Sequence, residues 1–285
     1  MANIRLIKQR IKGVKNIAKI TKAMEMIAAS RMKKAQDRGL AGRPYSEKIT
    51  EIIAALAALP HGGESLHPLL ERREVKKIAV LHITPDRGLC GGLVGNMNRL
   101  TLNFMNEKKA PVTLVTVGRK GFDFMRRFGQ DIRAEFIELG DKPSYVDSLP
   151  VARLVMDDFQ SGFVDAVYIA YSQFVSTAVQ KPVMAQLLPV EPAELPPSQN
   201  VEPIYEPEAV GVLGSLLPRF VEMRIYHAIL EAIASEQSAR MVAMRNATDN
   251  AKELTDDLTL VYNKARQEAI TTELLDIIGG AAALA

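Results

Sequence analysis

The chain has 285 residues, of which 47% are hydrophobic, and its net charge is only +3. This composition fits one or two globular domains and excludes a chain that binds nucleic acid through its overall charge. The single cysteine, Cys90, excludes disulfide bonds within the chain and indicates a reducing compartment. No apolar run is long enough to span a membrane, and the first residues lack the apolar core of a signal peptide.

The N-terminal region predicts a long, basic helix. Residues 1–43 contain no proline, and their twelve Lys or Arg residues stand against only Glu25 and Asp37. Apolar and small residues recur in steps of three and four, at Ile4, Ile7, Ile11, Val14, Ala18 and Thr21. This spacing is typical of a coiled-coil seam. A helix over residues 3–38 would be about 50 Å long at ~1.5 Å per residue, and a proline such as Pro44 can kink a helix.

The middle of the chain alternates between strand and helix patterns. Apolar segments predict strands at 76–84, 110–118, 134–139, 164–174 and 181–190, and helical patterns lie at 92–108, at 119–129 and within 144–162. This alternation predicts a Rossmann-like α/β domain with a mainly parallel sheet. The last two strands lie close enough in sequence to pair as an antiparallel hairpin. A Pro/Glu-rich segment then leads to the C-terminal region.

The C-terminal region predicts a second long helix. Its last 67 residues contain no proline, and residues 215–278 contain no glycine. A seam is predicted at Leu254, Leu258, Val261 and Ala265, with small residues at Ala243 and Ala247 and a neighbouring stripe at Ile270, Leu274 and Ile277. A helix over 219–278 would span roughly 90 Å, whereas the central domain would be only about 35 Å across. The helix must therefore project, and the basic N-terminal helix is its nearest partner.

The predicted fold class is thus α/β plus a long antiparallel coiled coil, in which the N- and C-terminal helices form a projecting shaft. We divide the chain into an N-terminal shaft helix (1–58), a central α/β domain (74–190), a connector (191–208) and a C-terminal shaft helix (209–285). Residues 208–285 carry seven Lys or Arg against eleven Asp or Glu, so the two ends of the chain have complementary charge.

The glycine-rich loop "TPDRGLCGGLVGN" is the strongest candidate for chemistry, because it follows a strand and opens a helix. Its glycines do not fit G-x-G-x-x-G, and the chain has no Gly-Lys pair for a P-loop, so a tight turn is favoured over a nucleotide site. Cys90 would need a histidine to activate it, and His82 lies nearby in sequence. The four histidines show no metal-ligand spacing. We therefore expect no catalytic residue, cofactor or metal.

The basic first helix offers an alternative function, an adaptor with a nucleic-acid-binding arm. Phosphate binding needs little more than clustered Lys and Arg. However, residues 1–43 contain no aromatic residue, and their basic residues run around the whole helix rather than along one stripe. An acidic protein surface would serve these lysines equally well, so a nucleic-acid partner is not the favoured prediction.

Three motifs together resemble the gamma subunit of the rotary ATP synthase, of the bacterial type without the regulatory cysteine insertion. They are "IKGVKNIAKITKAMEMIAASRMKKAQ", "DRGLCGG" and "SEQSARMVAMRNATDNAKELTDDLTLVYNKARQEAITTELLDIIGGAAAL", in the family's order and across nearly the whole chain. The segment "LVGNMNR" departs from the family pattern after Gly92 and leaves the start of the following helix open. The resemblance implies a non-catalytic rotor subunit that couples ion flow to ATP synthesis.

The resemblance also implies partners and contact residues. The shaft would stand as a single copy inside a ring of alpha and beta subunits, and the foot would bind the epsilon subunit and the membrane c-ring. The implied contacts with the catalytic ring are Met24, Lys22, Arg31, Lys33, Lys34, Arg240, Arg266, Gln267 and Thr271. Tyr205 and Glu206 would approach the c-ring. The implied location is peripheral, on the cytoplasmic face of a bacterial plasma membrane.

Overall fold

The computed structural model describes residues 4–58, 67–191 and 209–284. In chain order the helices are α1 (Ile4–Ala58), α2 (Leu93–Glu107), α3 (Arg119–Arg127), α4 (Tyr145–Gln160) and α5 (Ala209–Leu284). The strands are β1 (Ile78–Ile83), β2 (Val112–Val117), β3 (Ile132–Phe136), β4 (Ala166–Phe174) and β5 (Gln180–Leu188). A short 3-10 turn, Pro68–Leu70, precedes the first strand.

The five strands form one mainly parallel sheet in the order β3-β2-β1-β4-β5. The central strand β1 pairs in parallel with β2 and β4, and β2 pairs in parallel with β3. The predicted hairpin is confirmed, because β5 runs antiparallel to β4 at the sheet edge. The predicted fold class, a Rossmann-like α/β domain combined with long terminal helices, is therefore confirmed.

Both faces of the sheet are covered, as a parallel sheet requires. On one face, Ile78 and Val80 of β1 pack with Met97 of α2 and Met125 of α3. On the other face, Leu81 of the same strand joins a larger cluster that includes α4, residues 213–229 of α5 and residues 49–53 of α1. The two terminal helices thus contribute apolar residues to the core of the sheet domain as well as forming long helices.

Strand β3 differs from its predicted position. The pattern "AEFIEL" predicts a strand at 134–139, but β3 covers Ile132–Phe136. The strand ends early because Glu138 adopts a left-handed backbone conformation, with φ of 62°. Its backbone N–H donates to Asp86 Oδ2 at 3.2 Å instead of continuing the ladder.

The long helices continue through the prolines near their inner ends. Helix α1 contains Pro44 and helix α5 contains Pro218. A proline in a helix interior removes one hydrogen bond and costs about 3 kcal/mol, which the packing of both helices into the sheet domain can offset. The open question after Gly92 is also resolved, since Gly92 is the N-cap and α2 begins at Leu93.

The chain forms two compact units, Met1–Ala28 with Arg240–Ala285, and Ala29–Ala239. The first consists of the outer part of each long helix, and we call it the coiled-coil unit. The second contains the sheet and the remaining parts of α1 and α5, and we call it the sheet unit. The division of the sequence into four domains remains a prediction.

Candidate functional site

The coiled-coil unit holds its two helices in antiparallel contact. Thr21 Oγ1 lies 2.7 Å from Thr248 Oγ1, and one turn later Arg245 Nε donates to Glu25 Oε1 at 3.0 Å. The residue numbers rise along α1 as they fall along α5, so the helices run in opposite directions. The seam predicted on α1 is correct: all six of its positions are buried or half-buried, whereas most of the residues between them are exposed.

The seam predicted on α5 is partly wrong. Leu258 and Ala265 are half-buried as predicted, but Leu254 and Val261 are 47% and 50% exposed. The buried side of the helix instead carries Met244 and the small or hydroxyl residues Thr248, Ala251 and Thr255. Small residues let two helix backbones approach closely. The large aliphatic side chains at Leu254 and Val261 are thus left on the outside.

The predicted stripe near the end of α5 faces solvent. Ile270, Leu274 and Ile277 are 48%, 54% and 68% exposed. Every residue from Ile270 to Ala281 is exposed in the part of the chain that the structure describes. Exposed aliphatic residues in such number are typical of a surface that another protein covers.

Glu25 forms a polar network that joins the seam to the outer surface of the coil. Its side chain is 8% exposed and accepts from Lys22 Nζ and Arg245 Nε, each at 3.0 Å. These two hydrogen bonds, first that from Lys22, lower the pKa of Glu25 below its ordinary value of 4.5, although burial acts in the opposite direction. Glu25 is therefore charged at neutral pH.

Met24 lies beside this network on α1. It is half-buried, and it belongs to a stripe in steps of three and four with Ile17, Ile20 and Ile27, which are each more than 50% exposed. This apolar stripe flanks the seam and is bordered by exposed lysines. Lys22 is also exposed, with 58% of its side-chain surface free, although it bonds Glu25.

The other predicted contact residues of α1 belong to the sheet unit. Lys33 and Lys34 are exposed. Arg31 is already paired within the chain, because its Nη1 lies 2.6 Å from Asp141 Oδ2. No local pattern predicts this ion pair, since the partners are separated by more than a hundred residues.

The predicted contacts of α5 fall into two groups. Arg266, Gln267 and Thr271 are exposed, toward the free end of the helix. Arg240 is buried, at 8% exposed, and the residue has an interaction within the chain. Tyr205 and Glu206, the predicted c-ring contacts, lie outside the described residues.

The glycine-rich loop is a tight turn rather than a reactive site. Cys90 is buried, and Leu89 and Gly91 adopt left-handed φ angles of 64° and 60°. His82 is fully buried, with Nε2 2.9 Å from Asn98 Oδ1 and Nδ1 3.0 Å from Thr101 Oγ1. Burial lowers the pKa of His82 to about 4. Both ring nitrogens of this neutral histidine are therefore occupied by α2, so it is not poised to activate a thiol.

The described residues show neither a metal site nor a membrane span. Within 4–58, 67–191 and 209–284, no group of three or more His, Cys, Asp or Glu side chains could hold a metal ion. None of the helices in these ranges combines the length and apolar character needed to cross a membrane.

Comparison with known proteins identifies the family. A family model described as ATP synthase matches residues 3–284. A Dehalococcoides mccartyi protein named ATP synthase gamma chain is 76% identical over 285 residues, which is the full length of both chains. A protein of the same name from Chloroflexus aurantiacus is 52% identical over 288 residues, covering 100% of this chain and 99% of its own length. The chain belongs to the ATP synthase gamma chain family.

Solved structures agree with this gamma-chain assignment. A chain in the central stalk and c-ring of Tetrahymena thermophila mitochondrial ATP synthase is 25% identical with a TM-score of 0.61, covering 80% of this chain and 99% of that one. A chain of Euglena gracilis mitochondrial ATP synthase, at 21% identity, shares the fold with a TM-score of 0.68, covering 99% of this chain and 94% of its own.

Family membership decides between the functions that the sequence left open. A gamma chain is a non-catalytic stalk subunit of the ATP synthase complex, so the prediction that this chain is not an enzyme on its own is confirmed by its family. The alternative of an adaptor with a nucleic-acid-binding arm finds no support among these relatives.

Proposed function

We propose that this gamma chain is the rotor shaft that carries torque between the membrane c-ring and the ring of alpha and beta subunits. Proton flow turns the c-ring, the gamma chain turns with it, and its asymmetric surface changes the affinity of each catalytic site for ADP, phosphate and ATP in turn. The chain is present as a single copy in the assembly. It needs no cofactor for this role, because the chemistry belongs to the ring.

One observation carries the proposal, namely the outer surface of the coiled-coil unit. The helices are held together by small residues, hydroxyls and Glu25, while aliphatic side chains and lysines point outward. A shaft that moves past several similar partners needs contacts that form and break at low cost. Exposed ion pairs contribute only about 0–1 kcal/mol each, and methionine adapts to changing surfaces.

Within this role, we assign the ring contacts in two classes. Met24 with its apolar stripe, and the exposed side chains of Lys22, Lys33 and Lys34, are accessible to an acidic moving lobe of beta. Arg266, Gln267 and Thr271 are similarly accessible near the end of α5. Arg31 and Arg240 already have interactions within the chain. We therefore assign them contacts with the ring that form only when each exchanges its partner within this chain for one on the ring.

The foot of the rotor is the central domain (74–190) with its connector. We propose that residues 191–208, which contain Tyr205 and Glu206, contact the c-ring loops, and that the central domain (74–190) binds epsilon. Helices 1–58 and 209–285 would then be the shaft. In this arrangement the protein is peripheral, on the cytoplasmic face of a bacterial plasma membrane.

Met24→Lys tests the assignment. The new cation would meet the acidic lobe of beta and form a contact that is too strong, so ATP synthesis and ATP-driven proton pumping should fall more than ATP hydrolysis. Met26→Lys is the matched control, because Met26 is 64% exposed and lies about 200° around the helix from Met24. Both variants would be reconstituted with the other subunits in vesicles. Equal losses of synthesis and hydrolysis, or equal effects of the two substitutions, would overturn the role of Met24.

A further inference from the structure

Three buried polar side chains on α5 hold that helix in the sheet unit. They lie in the motif "SEQS", where Ser235, Gln237 and Ser238 are 0%, 1% and 0% exposed. The buried neighbours on α5 include Leu230, Ala234 and Met241, and an alanine or leucine would bury there at lower cost, because a buried polar group is unfavourable unless it is hydrogen-bonded. The burial of each of these three side chains must therefore be explained by the group to which it is hydrogen-bonded.

The two serines bind one side of the sheet unit, the β4–β5 hairpin. Ser235 Oγ donates to the carbonyl of Ser172 at 2.8 Å, and Ser238 Oγ donates to the carbonyl of Thr177 at 2.7 Å. Gln180 adds a weaker contact from the same hairpin, with Nε2 3.4 Å from Ser238 Oγ. The hairpin backbone thus accepts two short hydrogen bonds from adjacent turns of the helix.

Gln237 points to a different side of the helix and contacts the loop between β3 and α4. Its Nε2 lies 3.4 Å from Asp141 Oδ1, and the other oxygen of Asp141 is 2.6 Å from Arg31 of α1. The same segment reaches α5 again, because Tyr145 donates to Glu222 and Tyr226 donates to the carbonyl of Pro143. The β3–α4 segment therefore holds both long helices.

We propose that these contacts form a torque joint, defined as Ser235, Gln237 and Ser238 with their partners Ser172, Thr177 and Asp141. At 100° per residue, Gln237 points about 160° away from Ser235 and about 100° away from Ser238, so the sheet unit contacts α5 on two different sides. Apolar packing is non-directional, whereas hydrogen bonds lose strength when the angle changes. Rotation of α5 about its own axis would break contacts on both sides at once.

The inference rests on the proposed rotor function and adds the place where torque enters the helix. Helix α5 continues from Ser238 directly into the residues of the coiled-coil unit. A foot that is turned must turn this helix without slipping, and the torque joint lies just before Arg240, the first residue of α5 in the coiled-coil unit. These are positioning residues, because they touch neither nucleotide nor the catalytic ring.

The test compares Ser235→Ala/Ser238→Ala with Ser215→Ala in reconstituted ATP synthase vesicles. Ser215 is an exposed serine on the same helix that bonds only its own helix backbone, at Val212. Losing two hydrogen bonds should raise the population of a slipped helix by roughly 30-fold. We expect the number of protons pumped per ATP hydrolysed, and the torsional stiffness of the rotor in single-molecule rotation, to fall by at least about half. Ser215→Ala should match the unaltered chain in both.

If the variant Ser235→Ala/Ser238→Ala does not assemble, a second pair of variants tests the torque joint. Gln237→Glu places a like charge against Asp141 and should lower the pumping ratio, and adding Asp141→Asn should restore it in part by providing a donor to the new carboxylate. A pumping ratio equal to that of Ser215→Ala in every assembled variant would overturn the torque joint. Failure of the unaltered chain to support any coupling would instead overturn the proposed function.

Discussion

Glu25→Gln removes one charge from the coiled-coil unit while leaving the shape of the side chain almost unchanged. Glu25 accepts one hydrogen bond from each of two cations at 3.0 Å. Hydrogen bonds to charged groups contribute about 1.5–3 kcal/mol when buried, but Lys22 and Arg245 are each 58% exposed, so solvent weakens both. We expect the substitution to destabilise the local helix pair by about 1 kcal/mol.

The assay is hydrogen exchange of backbone amides around Thr21 and Thr248, followed as protection factors. A loss of about 1 kcal/mol should make these amides exchange roughly five-fold faster at pH 7. Asp249→Asn is the matched control, since Asp249 forms an exposed ion pair with Lys252 at 3.1 Å on the same coil. Exposed pairs three residues apart contribute little, so the control should exchange like the unaltered protein.

The pH dependence gives the sharper check. Because the pKa of Glu25 is lowered on folding, its stabilising contribution is complete above its ordinary value of 4.5 and is lost as the pH falls through the lowered value. Protonated glutamic acid is uncharged, like glutamine. The difference in amide protection between the unaltered protein and Glu25→Gln should therefore narrow below pH 4.5 and then disappear. Equal amide protection of the two proteins at pH 7 would refute the charge network. A difference in protection that stays constant as the pH falls into the acid range would also refute it.

Two further predictions concern packing. Thr21→Val and Thr248→Val should each cost about 1 kcal/mol of local stability, while the double substitution should cost less than their sum, because the contact between the two hydroxyls can be lost only once. Additive effects in a double-mutant cycle on coil amides would contradict the 2.7 Å contact. Gly121→Ala should destabilise the sheet domain by roughly 1–3 kcal/mol in urea unfolding, because the new methyl would lie 2.6 Å from Thr84 Oγ1 and 2.7 Å from His82. Gly95→Ala, with no atom within 4 Å, should instead stabilise α2, and a reversed order of these two variants would refute the packing argument.

Local sequence signals predicted the helices and strands, but they did not predict in every case which side of a helix is buried. Alternation of apolar strands and helices was enough for the sheet and its hairpin, and freedom from breakers was enough for the long helices. Steps of three and four identified the α1 seam correctly, because isoleucine and valine alternate there with charged residues. The periodic signals are local, because each is read within fewer than about twenty consecutive residues.

The α5 seam was misplaced for a physical reason. A periodic aliphatic stripe indicates burial, but not whether the covering surface belongs to the same chain. On α5 the intramolecular contact uses Ala251 and Thr255, while Leu254 and Val261 remain exposed. Threonines that bond their own helix, as Thr255 does to the carbonyl of Ala251 at 2.8 Å, are compatible with burial, although they carry no strong apolar signal.

The torque joint could not be predicted because its partners are distant in sequence. Ser235 bonds a residue that precedes it by 63 positions, and Gln237 bonds one that precedes it by 96. The useful signal was the polar run "SEQS" within residues 219–278, a stretch of α5 free of proline and glycine. In such a position polar side chains are either exposed or paired, and pairing becomes visible only once the fold brings the hairpin and the β3–α4 loop to the helix.

The distribution of side chains in the coiled-coil unit follows from the two demands on a shaft. Large aliphatic residues would hold its helices together more strongly than alanine and threonine do, since each buried Leu or Ile contributes about 1.5–3 kcal/mol. Placing them outward, at Ile17, Ile20, Leu254 and Val261, gives up that stabilisation within the chain. The helices are kept in register instead by directional contacts at Thr21 and Glu25. Met24 lies next to Glu25 and three residues from Thr21 in sequence. A force that the catalytic ring exerts at Met24 therefore acts on a helix pair whose register is fixed by hydrogen bonds. The outer surface of that pair remains free to change partners.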